Sequence, residues 1–302
     1  MTAIPAPTGT ITLPDGRSLA YDDIGDATSA PVVYLHGCPD CRLSRPPAAR
    51  VDGVRLIAVD RPGYGRSDAD PLGDELTQAD DVVAIADALG IDRFAVLGWS
   101  SGGPGALALG VRHPSRISAV GVAAGQVPMV ADHDVWDAID PVIAMRSETM
   151  ETMTPDEFAA MVAPLLAPLD ATFELMMEAV TEGKDAAYLR DLVSVEGLHE
   201  QLALGAIAAV EHGLAGAERD MRAMVSPWSF ELADVVVPVV LWYGTEDHRF
   251  KPPAGQWLAD RIPDARLEVF DGTSHLLPLI HWQQLMNDLL MRTQGEAHAS
   301  QP

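Results

Sequence analysis

Lysine is scarce in this chain of 302 residues: it occurs only at Lys184 and Lys251. Twenty basic residues stand against 44 acidic ones, and the formal net charge is −24. A surface with this excess of negative charge repels phosphate backbones and anionic lipid headgroups. We therefore expect neither nucleic acid nor a membrane surface as a partner.

The chain also has few cysteines and no long apolar run. Cys38 and Cys41 are too few for a disulfide framework. No stretch of 18 apolar residues is present, so no segment is predicted to span a bilayer. The first residues, MTAIPAPTGT, have neither the basic nor the apolar region of a secretory signal. The expectation is a cytoplasmic protein.

Short apolar runs alternate with helix-length patterns along most of the sequence. Such runs suit strands that are buried on both faces, as in a parallel sheet covered by helices. The predicted strands are 10–13, 19–22, 32–35, 54–59, 94–97, 120–123, 235–243 and 267–270. The predicted helices are 79–89, 103–112, 254–261 and 279–291. This order predicts an α/β fold.

The segment 126–228 differs from the rest of the chain. It has 19 acidic and 5 basic residues, nine of the twelve methionines, and helical periodicity without good strand runs. A helical block between strands of one sheet predicts a cap, with 1–125 and 229–302 forming the core domain. Methionine adapts to irregular apolar pockets, so the cap methionines are interpreted either as a substrate pocket or as ordinary packing.

Gly98-Trp99-Ser100-Ser101-Gly102 is the strongest local motif in the sequence. It matches G-x-S-x-G and lies between an apolar strand and a helix, the context that a nucleophile on a strand-to-helix turn requires. Glycines two residues before and after the serine are expected because side chains there would collide on so tight a turn. The alternative interpretation is a Gly/Ser-rich turn without function. The context favours Ser100 as the nucleophile.

A serine nucleophile needs a base and a group that orients the base. His275 follows the predicted strand 267–270, and Asp247 follows the predicted strand 235–243. Open α/β sheets bind ligands at the ends of such strands, and the order Ser, Asp, His is that of nucleophile-elbow hydrolases. We predict Asp247 as the orienting acid, with Glu246 as its rival.

Two backbone N–H groups are predicted to form an oxyanion hole. One belongs to Ser101, the residue after the nucleophile, and the other to Cys38, in the loop after the strand 32–35. Cys38 and Cys41 also form a C-x-x-C pattern, whose alternative interpretation is a redox pair. Only two cysteines are present and no ligand set for zinc is visible, so no metal or cofactor is predicted.

Together these motifs resemble the α/β-hydrolase superfamily. The likeness rests on four features: the strand followed by His36-Gly37-Cys38-Pro39, the stretch VDRPGYGRSD at 59–68, the nucleophile elbow at 98–102, and the pair Asp247 and His275. It covers most of 10–125 and 226–292. The resemblance implies a mostly parallel sheet of about eight strands and assigns no catalytic role to 59–68. Serine at position 100 departs from the epoxide hydrolase and haloalkane dehalogenase branches, which use aspartate there.

The resulting functional prediction is a serine hydrolase of the esterase type that cleaves a small carboxylic ester or related acyl compound through an acyl-enzyme. Three alternatives stay open. The acidic cap would suit a cationic substrate, as in a proline-iminopeptidase-like enzyme. The scaffold also carries non-hydrolytic biosynthetic enzymes and cofactor-free haloperoxidases, because a fold does not fix a reaction. A non-catalytic ligand-binding protein is disfavoured by the presence of all three triad residue types.

Overall fold

The computed structural model describes residues 4–128, 157, 181, 184–224 and 226–299. Eight strands form one sheet in the order β1-β2-β4-β3-β5-β6-β7-β8. The pairs β1/β2 and β2/β4 are antiparallel, and all other neighbours are parallel. The strands are β1 (Gly9–Thr12), β2 (Ser18–Ile24), β3 (Ala30–Leu35), β4 (Val54–Val59), β5 (Phe94–Trp99), β6 (Ile117–Ala123), β7 (Val239–Gly244) and β8 (Ala265–Phe270).

Eight α-helices accompany the sheet in the described part of the chain. They are α1 (Glu75–Ala88), α2 (Gly103–Arg112), α3 (Ala186–Ser194), α4 (Leu198–Ala209), α5 (Ala215–Met224), α6 (Pro252–Ala259), α7 (Leu277–Ile280) and α8 (Trp282–Ala299). Short 3₁₀ turns cover Ser100–Gly102 and Leu232–Asp234. Among these helices, none combines the length and the apolar composition that crossing a bilayer requires.

Helices cover both faces of the sheet, so its central strands are buried on both sides. One apolar cluster joins one face of the sheet to α1, α2 and α6. A second cluster joins the opposite face to α3, α4, α7 and α8. The predicted fold class, a mostly parallel eight-stranded sheet flanked by helices, is confirmed.

Element boundaries differ from the predicted ones where capping and proline decide them. Helix α1 begins at Glu75 rather than at 79, because the Asp74 side chain accepts from the N–H of Thr77 and caps the helix. Strand β7 begins at Val239 rather than at 235, directly after Pro238, which has no N–H for a sheet ladder. The predicted helix 279–291 is two helices, α7 and α8.

The described part of the segment 126–228 contains α3, α4 and α5. Leu192 of α3 and Leu198 and Leu202 of α4 belong to the second apolar cluster, together with Trp99. Met221 and Met224 pack at the margins of the apolar clusters. The other seven methionines of the predicted cap lie outside the described residues, so the proposed pocket of thioethers stays a prediction.

Candidate active site

The turn at Ser100 has the strained geometry that the motif predicts. Strand β5 ends at Trp99, and Ser100 has φ +52°, a left-handed conformation that non-glycine residues seldom adopt. A β-carbon on Gly98 would lie 2.5 Å from the carbonyl oxygen of Gly102, and one on Gly102 would lie 2.2 Å from that of Leu35. Only glycine fits at these two positions, and the turn places Ser100 at the carboxyl end of the sheet.

The predicted oxyanion donor Ser101 lies in the 3₁₀ turn that leads into α2. The first N–H groups of a helix have no partner within the helix, and their partial positive charge favours an anion. Ser101 therefore lies where a developing negative charge is stabilised. The role of Ser101 as an oxyanion donor stays a prediction.

Asp247 and His275 are joined by a direct hydrogen bond. Asp247 Oδ2 lies 2.8 Å from His275 Nδ1, and both residues are buried. The other carboxylate oxygen of Asp247 accepts from the backbone N–H of Arg249 at 2.7 Å and of Phe250 at 3.1 Å. These contacts fix the carboxylate, and a carboxylate oxygen beside Nδ1 favours the imidazole tautomer that carries its proton there.

Glu246, the rival acid, contacts a different partner. Its side chain is half exposed, and its Oε2 lies 3.3 Å from Nη1 of Arg190 on α3. No hydrogen bond between Glu246 and His275 occurs among the described residues. The geometry therefore favours Asp247 as the acid that orients His275.

Trp99, the neighbour of Ser100 in the chain, contacts His275 directly. The indole Nε1 of Trp99 donates to the carbonyl of His275 at 3.0 Å, and the centres of the two rings are 5.8 Å apart. Within the described residues, no hydrogen bond joins Ser100 Oγ to His275. Contacts of this kind are often long in a site without substrate and tighten when substrate binds.

The loop after β3 has its peptide planes fixed by Arg61. The carbonyl of Gly37 accepts from Arg61 Nη2 at 2.8 Å and from Nδ1 of His36 at 2.8 Å. The N–H of Cys38 belongs to the same peptide unit and points the opposite way, because that bond is trans. The guanidinium thus fixes and polarises the peptide that carries the predicted oxyanion donor.

Arg61 is itself held by Asp220 on α5. The two side chains form a bidentate pair in which Arg61 Nη1 donates to Asp220 at 2.9 Å, and Tyr64 Oη donates to the same carboxylate at 2.7 Å. All three residues are buried. Sequence reasoning assigned no role to this pair, although Arg61 lies in the VDRPGYGRSD motif that it singled out.

Asp191, on α3, contacts the loop that carries His275. Asp191 Oδ2 accepts from the backbone N–H of Ser274 at 2.8 Å, next to His275. Arg190 donates to the carbonyl of Gly272 in the same loop. This contact was also missed, because nothing in the spacing of the sequence joins α3 to the loop after β8.

Asp40 is a further carboxyl at the site that the sequence did not reveal. A β-carbon on Gly37 would lie 3.1 Å from Asp40 Oδ2 and 3.2 Å from Ser100 Cβ. Burial raises the pKa of Asp40, against the opposing effects of the Ser44 hydroxyl and of positive charge on His275. Gly37 thus keeps open the space between this carboxyl and the nucleophile.

The two cysteines are both free and do not suit a redox pair. Burial raises the pKa of Cys38 to about 12 and that of Cys41 well above its usual value. The reactive form in thiol chemistry is the thiolate, which such environments disfavour. Within the described residues, no group of three or more His, Cys, Asp or Glu side chains could hold a metal ion.

Comparison with known proteins agrees with this architecture. The model of the alpha/beta hydrolase fold matches residues 30–281. The non-heme chloroperoxidase of Streptomyces lividans is 31% identical over 93% of this chain and 98% of its own length. The pimeloyl-[acyl-carrier protein] methyl ester esterase of Chromobacterium violaceum is 29% identical over 87% and 92%. An esterase structure from Exiguobacterium antarcticum has a TM-score of 0.69 at 22% identity, covering 96% and 100%.

Proposed function

Since this chain belongs to the alpha/beta hydrolase fold family, we propose that it cleaves a small carboxylic ester through an acyl-enzyme on Ser100. The relatives include esterases and hydrolases, in agreement with the predicted enzyme class, an α/β-fold serine hydrolase of the esterase type. The observation that carries the proposal is a strained serine at the end of β5 beside a buried Asp247–His275 pair.

In the proposed reaction, His275 Nε2 takes the proton from Ser100 Oγ as the oxygen attacks the ester carbonyl. Asp247 stabilises the imidazolium that forms. The N–H groups of Ser101 and Cys38 hold the oxyanion, and His275 then gives its proton to the departing alcohol. Water, deprotonated by the same histidine, hydrolyses the acyl-enzyme and releases the carboxylic acid.

Arg61 enters this proposal as a positioning residue. It donates to the Gly37 carbonyl and so turns the N–H of Cys38 toward the reacting carbonyl. Its partner Asp220 lies on α5. We propose that 126–228 is a helical cap between the core segments 1–125 and 229–302, and that α5 connects this cap to the oxyanion loop.

A second candidate reaction is formation of a peracid. The 31% identity to a protein named non-heme chloroperoxidase favours it. Here hydrogen peroxide, in place of water, attacks the acyl-enzyme, so that a peracid leaves and Ser100 regains its proton. The free enzyme and the acyl-enzyme are the same in both reactions.

Stopped-flow hydrolysis of p-nitrophenyl acetate tests the principal proposal. An acyl-enzyme predicts a burst of about one equivalent of p-nitrophenol before steady turnover, and mass spectrometry of the quenched protein shows the added acetyl group. Parallel assays use proline p-nitroanilide and hydrogen peroxide with acetate. Turnover of the anilide without the ester would replace the esterase with a peptidase, and peracid formation without ester hydrolysis would favour the second candidate.

A further inference from the structure

We propose that a cavity beside the nucleophile turn binds a neutral amide-like group of the substrate, which makes the substrate an ester with a second, hydrogen-bonding functional group. The inference rests on the proposed esterase function. It starts from two buried glutamines, Gln78 and Gln126, whose side chains have unused hydrogen-bonding atoms.

The cavity has a volume of about 190 Å³ and lies where α1, α2, α5 and the segment 226–229 meet. Ser101 and Pro104, from the turn after the nucleophile and the first turn of α2, form one wall. A carbonyl held by the N–H of Ser101 would therefore have one arm of the ester directed toward this space. The cavity is large enough for a few heavy atoms beyond the reacting carbonyl.

Gln126 is the least exposed of the polar residues that line the cavity. It is only 1% exposed, and neither Nε2 nor Oε1 has a hydrogen-bond partner among the described residues. Its backbone N–H donates to the carbonyl of Ser100 at 3.1 Å, which fixes the residue next to the nucleophile. A buried amide without partners destabilises a fold, so its presence here points to a ligand that completes it.

Gln78 reaches the cavity from α1. It is 5% exposed, and its Nε2 has no partner among the described residues. The amide lies flat against Gly105 of α2, where an added β-carbon would be 3.0–3.1 Å from three of its heavy atoms. A side chain at 105 would displace the amide, so the glycine is required for the position of Gln78.

The charged side chains around the cavity are already engaged with protein partners. Glu75 accepts from Ser229 at 2.8 Å, and Asp74 caps α1. Asp220 is paired with Arg61 and also contacts Arg219 at 3.4 Å. Arg219 and Arg222 also line the cavity. The unused capacity that the two glutamines add is neutral and consists of two NH2 groups and one carbonyl acceptor. An amide group matches it, because its oxygen accepts and its N–H donates. An ammonium would face the two NH2 groups together with the guanidinium groups of Arg219 and Arg222, and a carboxylate would face the unpaired oxygen of Gln126.

Two matched pairs of substrates test the inference on the native enzyme. On the acyl side, the ethyl ester of N-acetyl-β-alanine is compared with ethyl 5-methylhexanoate, in which hydrocarbon replaces the amide. On the alcohol side, the acetate of N-acetylethanolamine is compared with 4-methylpentyl acetate. We expect kcat/KM for the amide-bearing ester to exceed that of its isostere by about tenfold or more in one pair, as two buried hydrogen bonds imply.

Gln126→Leu removes both unused polar atoms at similar volume, and the exposed Gln283→Leu on α8 is the matched control. The ratio of kcat/KM within a pair cancels any general loss of activity. We expect this ratio to fall about tenfold in Gln126→Leu and to stay native in the control. Gln78→Leu gives an independent second measurement with a smaller fall in the same direction.

The outcomes separate this inference from the proposed function. If the native enzyme hydrolyses p-nitrophenyl acetate but prefers neither amide-bearing ester, the cavity holds only water and the inference is wrong. The same holds if a preference exists and survives in both glutamine variants. If p-nitrophenyl acetate is not hydrolysed at all, the esterase proposal itself fails. A preference lost in Gln126→Leu supports both.

Discussion

The candidate site has a base half, which contains Asp247 and His275, and an oxyanion half, which contains the loop after β3. Each half is contacted by a buried aspartate from the segment 184–224, but the contacts differ in kind. Asp191 on α3 accepts a hydrogen bond from the backbone N–H of Ser274, beside the base. Asp220 on α5 instead pairs with the buried guanidinium of Arg61, which holds the Gly37 carbonyl in the loop of the proposed oxyanion donor. One half is supported by a carboxylate that contacts a backbone amide and the half-exposed Arg190, and the other by an ion pair whose two members are both buried.

This difference predicts which half of the site is more sensitive to substitution of its aspartate. Removing one member of a buried ion pair leaves a charge without a partner, which is strongly destabilising. Removing the charge of an acceptor for a backbone N–H weakens one hydrogen bond. We therefore expect the oxyanion half to depend on α5 more strongly than the base half depends on α3.

The largest effect is expected inside the base half itself, at the acid. Asp247→Asn should lower kcat by about 10²–10⁴, because the amide favours the wrong imidazole tautomer. Glu246→Gln, one residue away and half exposed, is the matched control and should stay within a few fold of native. Steady-state hydrolysis of p-nitrophenyl acetate measures both, and the reverse pattern would reassign the acid to Glu246.

The comparison of the two aspartates is tested by the same substitution at each. Asp220→Asn should lower the free energy of unfolding by about 3–5 kcal/mol, because it leaves Arg61 buried without its counter-charge. Asp191→Asn should lower it by about 1 kcal/mol, since the amide oxygen still accepts from Ser274 and the lost pair with Arg190 is half exposed. Urea unfolding followed by circular dichroism provides both values.

The control for this pair is an exposed ion pair. Asp87, which is 61% exposed, contacts Arg116 at 2.7 Å. Asp87→Asn should cost about 0–1 kcal/mol, as exposed pairs do. Equal losses at Asp220 and Asp191 would remove the proposed difference between the two halves.

Two substitutions at Cys38 distinguish the role of its backbone N–H from that of its thiol. Cys38→Pro removes the N–H and should lower kcat by about 10²–10³, the cost of one oxyanion donor. Cys38→Ala keeps the N–H and should retain most of the activity. The kinetics of p-nitrophenyl acetate hydrolysis in the two variants decide the point. If Cys38→Ala were as inactive as Cys38→Pro, the thiol and not the peptide would be the functional group.

The last prediction concerns how folding stability depends on pH through the buried thiol of Cys41. Burial raises the pKa of Cys41 in the folded protein, whereas a thiol in the unfolded chain has a pKa of about 8.5. The unfolded state alone releases the proton as pH rises past that value, so folding stability falls with pH. Between pH 7.5 and 9.5 the free energy of unfolding of the native protein should fall by about 1.4 kcal/mol more than that of Cys41→Ser. Urea unfolding of both proteins at the two pH values measures this difference. Equal losses in the native protein and in Cys41→Ser would contradict the prediction.

Some of this architecture could be predicted from the sequence because it is local. The elbow glycines follow from the steric demands of one turn, and the positions of Asp247 and His275 follow from the strands before them. The contacts of Asp220 with Arg61 and of Asp191 with Ser274 join residues 159 and 83 positions apart. Spacing and periodicity carry no information on such pairs, because they depend on how α3 and α5 pack on the core.

Fluorophosphonate labelling of the native protein and of Ser100→Ala tests the central claim most directly. We expect one probe adduct per native chain, located by tandem mass spectrometry on Ser100, and none on the variant. Circular dichroism of the variant verifies that it is folded. Labelling that survives in Ser100→Ala, or that maps to Ser101, would contradict the assignment of the nucleophile and with it the proposed acyl-enzyme.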